Sequence, residues 1–157
     1  STRLNVTRAK RERATNYLNT KNFLIRSWEA MPELSYQPNP TIRFTGTYQW
    51  MDKNNELGNQ EKARFHELGS EARLSQVGKR TLTGVLKYIK IDYTGLDTSP
   101  VAFEMLNGFR PGNNLTWNLA LQQRLSSGLN ITVDYDGRKP QGIRTIHTGR
   151  MQVSVLF

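Results

Sequence analysis

The chain has 157 residues, of which 36% are hydrophobic, and its 22 Lys and Arg against 13 Asp and Glu give a net charge of +9. That length is one domain-sized unit, and no run approaches the ~20 apolar residues that a membrane-spanning helix needs, which excludes a helical membrane protein. Cysteine is absent, so there is neither a disulfide framework nor a thiolate metal site, and two histidines alone do not make a zinc ligand set.

In chain order, residues 1–22 read as a basic segment with a weak first strand at Thr2–Arg8 and then an outer loop. Its densest cationic run is TRAKRER, Thr7–Arg13. The segment opens on Ser1 with no visible signal peptide, as expected of a processed chain or a piece of a longer one. Residues 23–157 carry the other strand candidates. Phe23–Gln37 is a strand with Pro32 inside it, followed by Thr41–Met51, Arg64–Gln76 and Arg80–Tyr93. Asn114–Leu125, Leu129–Arg138 and Ile146–Phe157 complete a set of about eight. The strong candidates run to about ten residues, near the 9–11 that a tilted strand uses to cross a bilayer. No long amphipathic helix and no fixed-period repeat interrupts them.

The connections alternate in length. Pro38–Pro40, Val77–Lys79 and Ser126–Gly128 are short, whereas Asp52–Ala63, Tyr93–Asn113 and Gly137–Thr145 are long. Short turns on one side and long loops on the other is the habit of up-and-down transmembrane barrels. The rhythm requires Val101–Phe109 to be loop structure and not a spanning strand.

Strand side chains alternate between two faces. Ile42 to Trp50, His66 to Leu74, Leu82 to Tyr88, Leu115 to Leu125, Leu129 to Tyr135 and His147 to Phe157, each taken at every second residue, give thirty positions. None is Asp, Glu, Lys or Arg, where a 22% charged composition spread over thirty positions gives about six or seven. The opposite set holds Arg43, Glu67, Glu71, Arg73, Lys87, Arg124, Asp134, Asp136 and Arg150. A lipid-facing surface accounts for the exclusion, because Arg or Lys at the bilayer midplane costs about 2–4 kcal/mol. Trp28, Trp50, Trp117, Tyr93 and Tyr135 fall near the loop ends and Tyr36 and Phe157 near the turn ends, as two interfacial girdles would have them. In Arg80–Tyr93 the apolar parity changes after Tyr88 to Ile89, Ile91 and Tyr93, which a bulge or a strand leaving the bilayer would produce.

The last strand, IHTGRMQVSVLF, ends on an aromatic residue and resembles the closing strand of bacterial outer-membrane β-barrels. That resemblance implies an assembly signal at Phe157, Val155 and Val153, read by the barrel-assembly machinery. More narrowly, SPVAFEML (Ser99–Leu106), RPGNNLTWNLALQQRL (Arg110–Leu125), YDGRK (Tyr135–Lys139) and the stretch Glu29–Gln49 with YQPNPTIRFTGTYQ are similar to the C-terminal regions of a family of large, mostly uncharacterised Bacteroidota outer-membrane proteins. The similarity covers most of the chain beyond about residue 25. It implies the outer membrane of a Gram-negative bacterium and a place at the end of a longer barrel, and it carries little chemistry.

The expected fold is therefore all-β: an antiparallel up-and-down transmembrane β-barrel, either of these strands alone or as the C-terminal part of a larger one. A hairpin turning at Gly137–Thr145 sets Asp134 opposite Arg150 and Asp136 opposite Thr148. With Glu71 and Arg73 these two form a candidate lumen charge network. Arg11, Arg13, Lys53, Arg138, Lys139 and Arg144 lie in or beside outer loops and are candidate contacts for lipopolysaccharide phosphates.

No nucleophile, base and acid stand at a marked spacing, so no catalytic residue, cofactor or metal is expected. The expected role is a non-enzymatic anchor, transport or assembly scaffold, partnered by outer-membrane lipid and by the rest of a barrel or a protein complex. The alternative is a soluble basic β-barrel binding nucleic acid or another polyanion. That reading calls for aromatics interleaved with Lys and Arg on one face, and here they alternate onto opposite faces.

Overall fold

A computed structural model describes residues 2–15, 23–56, 61–96, 98–125 and 128–155, with the backbone alone for 2–15 and 23. Eight strands follow one another in an antiparallel sheet whose spatial order is the chain order. They are β1 (Thr2–Thr15), β2 (Phe23–Asn39), β3 (Ile42–Asn55), β4 (Lys62–Gln76), β5 (Arg80–Thr94), β6 (Gly112–Arg124), β7 (Leu129–Lys139) and β8 (Ile146–Val155). One short helix, α1 (Pro100–Met105), stands between β5 and β6. Val101–Phe109 is thus not a strand, as the loop alternation requires.

The short turns have local causes. At the β2–β3 turn the Asn39 side chain accepts from the backbone N–H groups of Thr41 and Ile42 at 3.0 and 2.9 Å, closing an Asx turn. At the β4–β5 turn Gly78 takes φ +72°, and Lys79 N donates to Gln76 O. Within β2, the ladder to β3 holds its register through Ala30↔Trp50 and resumes at Glu33↔Thr47, with no pair at Pro32, which has no N–H to give.

Several strands outrun their sequence patterns at the loop end. β1 continues through Thr15, β3 through Asn55, and β4 begins at Lys62. Asp52, Lys53, Asn54 and Asn55 are poor strand formers taken alone. They are held extended by ladder pairs on both sides, such as Lys53↔Ala63 and Lys53↔Ser27.

Successive registers align whole rows. Ile42, Leu74, Leu82, Leu121, Val133 and Met151 form one row, and Phe44, Ala72, Gly84, Leu119, Tyr135 and Gly149 the next. The apolar positions chosen from sequence that fall within described strands therefore do share one face. The charged set shares the other, and Asp134 stands opposite Arg150 as expected.

Two expectations are corrected. The β4–β5 register is unbroken from Lys62↔Thr94 to Gln76↔Arg80, so no bulge explains the parity of Ile89, Ile91 and Tyr93. They are charged-face residues covered by the β5–β6 connection. Nor does the sheet close: among the described residues no ladder joins β1 to β8, and every residue of β8 is exposed.

The buried core is correspondingly small and lies at the loop end of the charged face. Ile25, Ala63, Phe65, Ile89 and Ile91 pack there against Ala102, Met105 and Leu106 of the α1 segment, with Met51, Tyr93, Val101 and Phe109 partly buried around them.

Candidate functional site

The two faces differ in what covers them. Of the thirty uncharged positions, none that is described is buried. Leu68 is 61% exposed, Met151 66%, Val153 53% and Leu119 49%. The buried strand hydrophobics all belong to the other face. A soluble β-sandwich buries its uncharged face, whereas here the described positions of that face are exposed or half-exposed, and no described residue buries them.

Its borders are charged. On β5 the first ionic side chains of that face are Arg80 at the turn end and Lys90 at the loop end, ten residues apart. At about 3.3 Å per residue, and with the roughly 40° tilt usual in membrane barrels, that spacing gives a band about 25 Å tall. Along the loop border Arg64 Nε and Asp52 Oδ2 are 3.5 Å apart, and Lys139 stands exposed at the end of β7.

Just inside this border sit Trp50, Tyr48, Tyr88 and both histidines. The Tyr48 hydroxyl and His66 Nδ1 are 2.7 Å apart, and Tyr135 and His147 repeat the arrangement at the same distance with stacked rings. Each pair joins diagonal neighbours on adjacent strands. Sequence parity places all four residues on the face but does not reveal the diagonal contact, which needs the register. Tyr36 lies exposed toward the turn end. Tyr93, assigned to a girdle from sequence, is instead half-buried on the charged face within the core cluster.

Trp117 covers a glycine. A Cβ built on Gly137, its ladder partner, would lie 1.8 Å from Trp117 Cε2, so the ring occupies the space that any side chain at position 137 would need.

On the charged face, side-chain contacts include Lys87 Nζ to Glu67 Oε1 at 2.8 Å, Gln49 Nε2 to Glu29 Oε1 at 2.6 Å, and Asn118 Nδ2 to Asp136 Oδ1 at 2.9 Å. Asp134, Arg150, Glu71 and Arg73 all lie on this face, but no ion pair joins any two of them; the network expected from sequence is a shared face without the contacts. Among the described residues an ion pair on this face joins Lys87 and Glu67, on neighbouring strands.

The loop end of this face is roofed by the α1 segment, which is fastened at both ends. Ser99 caps the helix by accepting from Ala102 N at 3.0 Å. Its hydroxyl also donates to Glu61, whose buried carboxylate accepts from Asn55 Nδ2 at 2.8 Å. Beyond the other end, the buried Lys53 ammonium donates to Met105 O at 2.9 Å and Asn107 Oδ1 at 2.8 Å, and lies 5.2 Å from the centre of the Phe65 ring. Gly95, where the strap leaves β5, has φ +147°, and a Cβ there would lie 2.7 Å from Glu61 Cγ.

Of the lipopolysaccharide candidates, Lys53 is buried under the strap, because its strand parity points it to the charged face. Arg138 is exposed and lies 6.0 Å from the Phe109 ring centre. Lys139 and Arg144 are exposed at the loop end. Arg11 and Arg13 belong to β1 and not to a loop, in register with Ser27 and Ile25; their side chains lie outside the described residues. Val153 and Val155 are exposed on β8, and Phe157 lies outside the described residues. Among the described residues no group of three His, Cys, Asp or Glu could hold a metal ion.

Comparison with protein-family models, with curated proteins and with solved structures finds no match to this chain.

Proposed function

We propose that this chain is part of the wall of a non-enzymatic outer-membrane β-barrel, acting as an anchor, transport or assembly scaffold for attached domains or partner proteins in a Gram-negative bacterium. The uncharged face lies in lipid and the charged face lines the interior. The observation that carries this reading is the uncovered apolar face, from which Asp, Glu, Lys and Arg are missing over a band about as tall as a bilayer core. Burying such a face against hydrocarbon removes it from water at no cost in ionic desolvation.

The barrel is wider than eight strands. Eight strands enclose a space that their own side chains just fill, whereas the charged face here also carries a helix and its packed cluster. Further strands, from the rest of a longer polypeptide or from a partner, pair with the free edges of β1 and β8. The similarity to the C-terminal regions of large Bacteroidota outer-membrane proteins fits this placement. Lys139 and Arg144 then stand where lipopolysaccharide phosphates would meet the loop border. A soluble polyanion-binding barrel is disfavoured because the exposed strand aromatics lie on the face whose central band carries no cation.

The test is behaviour without detergent. The account expects the refolded chain to need detergent or lipid to stay dispersed. A β-rich chain that is monomeric in plain buffer would sink it.

A further inference from the structure

At the turn end of the charged face a polar depression runs between the β4–β5 turn and strands β6–β8. Its described lining includes Lys79 and Arg124 with Ser75, Thr81 and Gln122, and contains no Asp or Glu. On the rest of this face the carboxylates Glu67, Glu71, Asp134 and Asp136 stand among the cations, so an acid-free stretch is a local departure.

One row nearer the middle of the strands, Arg43 and Arg73 stand directly opposite each other on β3 and β4. Like charges at a directly opposed pair destabilise a sheet. Arg43 donates to Gln37 Oε1 at 3.2 Å, and neither arginine is paired with a carboxylate in any described contact. Glu71, the nearest acid by register, sits opposite Thr45 and Val85 and forms no described ion pair with Arg43 or Arg73. Arg124 Nε reaches only the Asn130 amide oxygen, at 3.4 Å.

We infer that this end of the charged face is a binding site for a phosphate group. Guanidinium forks meet phosphate oxygens two at a time, and the hydroxyls of Ser75 and Thr81, 3.3 Å apart, supply further donors at the floor. The phosphate has two possible sources, a soluble phosphate ester passing along the interior or a phospholipid headgroup at the turn-side membrane surface. The inference rests on the charge and accessibility of this face and not on membrane insertion, so it can fail while the barrel reading stands.

The test uses the full chain in uncharged maltoside micelles, followed through its backbone amide shifts. In one arm inorganic phosphate is titrated in; in the other, a few mole per cent of phosphatidic acid is added to the micelle. Saturable shifts at Lys79, Thr81 and Arg124 with inorganic phosphate assign a soluble source, and shifts with phosphatidic acid alone assign a headgroup. In the responding arm Arg73→Gln and Arg124→Gln should each weaken binding about tenfold, Arg124→Lys less so, and Glu71→Gln should tighten it. Arg73 and Arg124 are exposed and Glu71→Gln keeps its shape, so the variants keep the fold, which the unchanged spectrum of β7 and β8 verifies. No saturation in either arm, or binding indifferent to both Gln variants, overturns the inference.

Discussion

Lys53 holds two oxygen atoms with one ammonium group, the buried backbone carbonyl of Met105 and the side-chain amide of the exposed Asn107. Replacing it with Met keeps the stem and removes the donor. A buried acceptor left without its partner costs about 1–3 kcal/mol, so Lys53→Met should speed amide exchange in residues 105–109 by about tenfold or more and leave β7 and β8 unchanged. Hydrogen exchange followed by mass spectrometry reads this directly. Gly137 makes a second point at this scale. Gly137→Ala drives a methyl group into the Trp117 ring, which must leave its ladder partner. In a background where Trp28 and Trp50 are Phe, Trp117 emission should shift and stability fall by about 1 kcal/mol, the scale of a lost cross-strand aromatic contact. Neither effect is visible in the sequence: Lys53 reads as a loop cation and Gly137 as a turn residue until register fixes their neighbours.

Among the elements, parity was the legible part. Alternation along β3 to β8 assigns residues to faces correctly, and the length of the connections predicts the up-and-down order, since both follow from local geometry. What covers each face was not legible. Ile89 and Ile91 looked like a slip in alternation because the sequence around them does not say that α1 folds back across β5. The Ser99–Pro100 start of that helix was there to be noticed, a capping residue followed by proline at the first helical turn. The side-chain network of Asp134, Arg150, Glu71 and Arg73 is not formed for a related reason: opposition in register brings the Cα atoms of Asp134 and Arg150 together without joining their side chains. The faces make a sharp prediction on β6, where Leu119 and Ala120 are sequence neighbours on opposite sides. Leu119→Arg should cost about 2–4 kcal/mol of folding in lipid, whereas Ala120→Arg should be tolerated. Folded fractions in vesicles across a urea series separate the two.

For the molecule as a whole, the described residues form an open eight-stranded sheet with two edges unpaired among them and two unlike faces. Exposed edges invite pairing with another chain, and β8 is exposed along its whole length. A barrel that includes this sheet uses those edges and turns the apolar face outwards, so lipid contact is the central claim. The most direct measurement places single cysteines at each position from 148 to 154 in a chain that has none of its own. Each variant is labelled with an environment-sensitive dye in lipid vesicles and exposed to an aqueous quencher. The account predicts a two-residue rhythm, with labels at 149, 151 and 153 blue-shifted and protected and those at 148, 150, 152 and 154 quenched. Equal quenching at all seven positions would contradict it.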